Sequence, residues 1–76
     1  MPVIQRFSTC RVAINPRDHA PPHFHGVLND GREAWVAMAT MEILHGKVTA
    51  RKIADVLTWA RSNQAMLASK FEELLQ

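Results

Sequence analysis

Apolar and polar positions alternate through the first half of the chain and then change period. Cys10, Val12 and Ile14 recur at every second position, with Arg11 and Ala13 between them, the pattern of a half-buried strand. A segment at 3–7 reads as a strand before it, and Asn15-Pro16-Arg17-Asp18 ends the run with turn-forming residues. Pro21 and Pro22 fix two φ angles and hold Ala20 and Pro21 in extended geometry. The pattern then predicts a third strand from His23 to Leu28 and a fourth from Arg32 to about Met38. Between them lies Asn29-Asp30-Gly31, and Asp-Gly favours a hairpin because glycine takes positive φ without cost. A two-residue loop at Asp30-Gly31 sets Asn29 against Arg32, His25 against Val36 and His23 against Met38. A three-residue loop shifts this register by one. Residues 42–46 are expected to form a fifth short strand ending at Gly46.

From Thr49 the spacing becomes helical. Ile53, Val56, Leu57 and Ala60 share one face, and Thr49 stands where an N-cap is expected. Leu67, Phe71 and Leu74 continue the stripe beyond Ser62-Asn63, a pair expected to end one helix and cap the next. Ile53, Leu57, Ala60, Gln64, Leu67, Phe71 and Leu74 also fit the seam of one long coiled-coil helix. Gln64 interrupts that seam and Asn63 is a weak helix former, so two helices, or one sharply bent helix, are expected. The fold expected is therefore α+β, a small antiparallel sheet of three to five strands followed by two C-terminal helices. It forms one domain over 1–76, strand-rich over 1–46 and helical over 49–75.

Composition narrows the class without naming a function. At 76 residues and 47% apolar, the chain can build a thin core that a second subunit would help to complete. An apolar second sheet face would then be the surface of a homodimer. One cysteine, Cys10, rules out an internal disulfide and fits a reduced cytoplasm. The start of the chain lacks the apolar run of a signal peptide, and no stretch approaches membrane-spanning length. Nine Lys and Arg against seven Asp and Glu give a net charge of +2, too small to announce a nucleic-acid binder and compatible with one. The basic run Lys47, Arg51, Lys52 and Arg61 reads as a solvated helix face.

The chemistry is concentrated in Asp18-His19-Ala20-Pro21-Pro22-His23-Phe24-His25. His23 and His25 leave one face of a strand, and His19 lies across the Pro-Pro bend. Four readings are open. His19, His23 and His25 could ligate zinc or nickel, or copper, with Asp18 orienting a ring from behind and His45 as a fourth ligand. His23 and His25, with His19, could instead be the acid–base groups of a metal-independent RNA-cleaving enzyme, with Arg17 and Arg11 near the phosphate. In a purely structural role the histidines pack half-buried beside Val27, Val36 and Met38. Finally, His19, Pro21, Pro22 and Phe24 could present a rigid docking surface to a protein partner, although Phe24 leaves the strand face opposite the histidines and is expected to pack. Trp35 and Trp59 read as core or interface anchors, and Cys10 as a small core residue.

The chain resembles the bacterial domain-of-unknown-function 4160 family. The resemblance rests on Met1-Pro2-Val3-Ile4 with Phe7, the Asp18 to His25 run, Ala34, Glu42-Ile43-Leu44 with Gly46, and Trp59. The Asp-His-x-Pro-Pro-His-Phe-His run is its most specific part. Ser8 and Thr40-Met41 depart from the pattern, where glycine is common. The resemblance implies a small α+β cytoplasmic protein with a protein partner from the domain-of-unknown-function 2442 family, in an arrangement like a toxin–antitoxin pair. It transfers no catalytic residue. The function expected first is such a partner module, with Asp18, Arg17 and Phe24 as binding residues beside the histidines. RNA cleavage and transition-metal binding are the alternatives.

Overall fold

A computed structural model describes residues 2–75, so Met1 of the amino-terminal signature lies outside the described residues. Five strands form one antiparallel meander in chain order: β1 (Val3–Arg6), β2 (Cys10–Ala13), β3 (His23–Leu28), β4 (Glu33–Ala37) and β5 (Ile43–His45). A 3-10 turn (Ala50–Ile53) leads into α1 (Ala54–Arg61), and α2 (Gln64–Leu75) follows. The α+β expectation is met, with the sheet at its upper strand count.

Period-two alternation decides which sheet face meets the helices. Cys10 and Val12 of β2, Phe24 and Leu28 of β3, and Ala34 and Val36 of β4 join Ile53, Val56, Leu57, Ala60, Leu67 and Phe71 in one core. Cys10 is buried there as a small apolar residue. Phe24 is buried completely in the same core, which corrects the expectation that it belongs to a binding or docking surface. Its position between His23 and His25 in sequence sends its ring to the side of the sheet opposite theirs.

The helical half follows the two-helix expectation. Thr49 occupies the capping position of the 3-10 turn with extended backbone, but its side chain makes no cap hydrogen bond. Asn63 likewise turns backward: its Nδ2 donates to the Trp59 carbonyl at 2.8 Å. Gln64, the residue that spoils a continuous seam, donates from Nε2 to the Met38 carbonyl at 2.9 Å and so ties the start of α2 to the end of β4. At the unusual Thr40-Met41 turn, Met41 adopts φ 64°, the left-handed geometry that elsewhere favours glycine.

The β3–β4 hairpin corrects the register expected from a two-residue loop. Leu28 N–H donates to the Arg32 carbonyl at 2.7 Å, leaving Asn29, Asp30 and Gly31 as a three-residue loop with Gly31 at φ 94°. The Asp30 carboxylate accepts from the Arg32 backbone and guanidinium, while Asn29 bonds the Ser8 and Thr9 carbonyls of the neighbouring turn. His25 therefore faces Trp35, His23 faces Ala37 and Val27 faces Glu33. Val36 and Met38 belong to the other face. The second sheet face is accordingly mixed rather than apolar, since beside Ala13 and Val27 it carries Arg11, both histidines, Glu33 and Trp35.

Gly46 closes β5 at φ 107°, and a Cβ there would run into the Glu33 carbonyl. Gly31 has the same handedness but open space around it. Gly46→Ala is expected to lose about 1–3 kcal/mol from backbone strain alone, with more from the clash. Gly31→Ala should suffer the strain without the clash. Urea unfolding of both variants checks this, and equal midpoints would contradict it.

Candidate metal centre

The loop between β2 and β3 carries Asp18 back over the histidine face of the sheet. Arg17 takes φ 58° at its turning point, and its N–H donates to the Leu74 carbonyl of α2 at 2.7 Å. The Asp18 carboxylate, largely covered, then lies between two rings. Its Oδ2 is 3.0 Å from His23 Nε2 and 3.0 Å from His25 Nε2. Both imidazoles are 2% exposed.

The other ring nitrogens are already committed. His23 Nδ1 is 2.8 Å from the Pro21 carbonyl, which can only accept, so this nitrogen carries the proton. His25 Nδ1 is 2.9 Å from Glu33 Oε1. The same oxygen accepts from Trp35 Nε1 at 3.0 Å. The hydrogen bonds from His25 and Trp35 hold the Glu33 carboxyl below its ordinary pKa against a smaller opposing effect of burial. An ionised Glu33 makes His25 Nδ1 a donor as well.

In the neutral rings, both Nε2 atoms then present lone pairs to an anionic oxygen. A second proton on His25 would resolve its half, since that contact has hydrogen-bond geometry. His23 differs: its Nε2 is fully buried and aligned with no hydrogen-bond partner, despite lying 3.0 Å from the carboxylate. A buried orphan nitrogen costs about 1–3 kcal/mol. A cation shared by the three atoms satisfies all of them. Ligands about 2.1 Å from a tetrahedral ion stand roughly 3.4 Å apart, close to the spacing here. Asp18, His23 and His25 each offer a ligand atom, all within 4.8 Å of one another.

The remaining candidates fall outside this triangle. Asp18 places an oxygen in the triangle itself, where a supporting position behind one ring was expected. His19 stays largely exposed on the loop, with Nδ1 3.3 Å from the other Asp18 oxygen, so it does not complete a three-histidine set. His45 packs its ring 4.8 Å from that of Trp35 and is not in the triangle. Arg17 is exposed at the turn and is not in the triangle. Glu33, Trp35 and Asn15 were missed: Trp35 stacks on His23 at 5.2 Å and 21°, and Asn15 Nδ2 lies 3.3 Å from His25 Nε2. The three-residue hairpin register would have put Glu33 and Trp35 on this face.

Burial opposes ionisation of Asp18, but a hydrogen bond from the His25 ring and the positive charge of His23, both present once the rings are protonated in acid, join the His19 backbone N–H in bringing its pKa below the ordinary value. A carboxyl depressed in the folded state adds stability above its unfolded pKa, about 3.9 for Asp and 4.3 for Glu. That stability is lost as pH falls through the lower folded value. In metal-free buffer, urea midpoints are therefore expected to drop steeply below about pH 4, and Glu33→Gln should flatten the drop. An identical pH profile in Glu33→Gln would remove Glu33 from the network.

No curated protein and no solved structure matches the chain. A family model described as "Domain of unknown function (DUF4160)" matches residues 10–72, which include the whole Asp18 to His25 run and both of the partners Glu33 and Trp35. The chain thus belongs to the DUF4160 family.

Proposed function

We propose that this protein binds one divalent transition-metal ion between Asp18, His23 and His25. The observation that carries the reading is His23 Nε2, buried without a hydrogen-bond partner while Nδ1 of the same ring is engaged by Pro21. The Glu33 and Pro21 contacts supply the outer support that metal-ligating histidines ordinarily have, fixing ring orientation and tautomer. Two imidazole nitrogens and one carboxylate oxygen suit zinc or nickel, and three protein ligands leave a coordination position for a further group. The metal-independent RNA-cleaving alternative is not favoured, because both rings lie beneath Asp18, out of reach of a phosphodiester.

Isothermal titration of the stripped protein with zinc or nickel is expected to show one equivalent per chain and a raised melting temperature. Asp18→Ala or His23→Ala should abolish the binding, and Glu33→Gln should weaken it about 10–100-fold. Circular dichroism establishes that each variant is folded. A folded wild-type protein that takes up no metal, or undiminished uptake by Asp18→Ala, would overturn the proposal.

A second reading rests on a different feature. An open apolar groove of about 350 Å³ lies between Pro21 and Pro22, the end of β4 at Ala37 and Met38, and Ala65 and Ala68 of α2. Its size and lining suit a large apolar side chain from a protein partner, as a toxin–antitoxin-like pair would require. Coelution with a co-expressed member of the domain-of-unknown-function 2442 family, lost in Ala68→Arg, is the expected result. Coelution that survives this substitution would count against the groove.

A further inference from the structure

The helices cover one face of the sheet, and part of the other presents an unusual set of side chains. Along one cross-strand row, Arg6 faces Arg11, Arg11 faces Val27 and Val27 faces Glu33. Along the next, Ala13 faces His25, His25 faces Trp35 and Trp35 faces His45. The β2–β3 loop covers the His23 and His25 end, leaving Trp35 half-exposed and His19 and His45 exposed around it. Their ring centroids lie 6.2 Å and 4.8 Å from that of Trp35.

Two arginines directly opposite each other destabilise a sheet by like-charge repulsion. Neither Arg6 nor Arg11 joins an ion pair among the described residues, whereas Arg32 is paired with Asp30. The pair is thus an unneutralised double positive charge. From strand and residue spacing alone, Arg11 stands roughly 12 Å from Trp35 on the same face. Aromatic rings on a sheet with cations to one side have the parts of a single-strand binding surface: bases stack on the rings and phosphates meet the cations.

We infer that this face binds single-stranded nucleic acid, with bases against Trp35, His45 and His19 and the phosphate backbone on Arg6 and Arg11. Charge complementarity at the Arg6 and Arg11 end favours an anionic strand over an apolar partner, and the two carboxylates on the same face are already engaged, Glu33 by His25 and Trp35 and Asp18 between the two buried rings. The face requires no metal, so the inference stands or falls separately from the metal centre. It involves binding only and no strand cleavage.

The test uses Trp59→Phe protein, whose one remaining tryptophan is Trp35, because Trp59 packs edge-on against Phe7 at a different place. Eight-nucleotide RNA and DNA single strands are titrated in the presence of EDTA. Saturable quenching of Trp35 fluorescence is expected, with affinity falling with salt at a logarithmic slope near −1.4 for two phosphate contacts. Arg6→Gln/Arg11→Gln should weaken binding at least tenfold and bring the slope toward zero. The RNA and DNA arms establish which sugar is preferred, and either preference supports the site. Absence of quenching up to millimolar strand would overturn the inference. Equal binding by the double variant would also do so, pointing to the Lys47, Arg51 and Lys52 surface instead. Equal affinity for duplex would remove the stacking half of the argument and overturn it as well.

Discussion

The three-residue turn at Asn29-Asp30-Gly31 governs the rest of this structure. Because side chains alternate, moving the β3–β4 pairing by one position exchanges the whole set of neighbours each β3 residue meets across the hairpin. In the observed register, His23 and His25 share a face with Glu33 and Trp35, while Phe24 meets Val36 inside the core. Asp30 secures the turn by accepting from Arg32, and Asn29 ties it to the β1–β2 turn. The polar site is therefore a product of hairpin geometry as much as of histidine content.

Burying two imidazoles and a carboxylate on a sheet of this size is costly unless each polar atom finds a partner. Most do. Pro21 and Glu33 engage the Nδ1 atoms, and Trp35 shares the Glu33 oxygen. The exception is His23 Nε2, which lies 3.0 Å from Asp18 Oδ2 without a hydrogen bond to it. Opposite the site, the same strand supplies Phe24 and Leu28 to a dense apolar layer beneath the helices. One six-residue strand thus serves two chemically different environments.

Much of this arrangement was legible in the chain itself. The alternation of Cys10, Val12 and Ile14, the change of period at Thr49 and the break at Ser62-Asn63 yield the strands and both helices, because burial of one face writes a period into the sequence. The Asp18 to His25 run marked the site, and strand geometry placed His23 and His25 on one side. The loop length was not legible, since Asp30-Gly31 suits either a two- or a three-residue turn. Glu33 and Trp35 were hidden for that reason. The return of Asp18 over the sheet depends on tertiary contacts at Arg17 that no local pattern encodes.

The hydrogen bond from Arg17 to Leu74 links two parts of the chain that are far apart in sequence. It anchors the segment bearing Asp18 to the final turn of α2, where helix ends ordinarily fray. Tension or unwinding at that terminus would be transmitted to the carboxylate one residue away, changing how firmly it holds its place between the rings. The last turn of α2 thereby helps to fix the loop that bears the site's carboxylate.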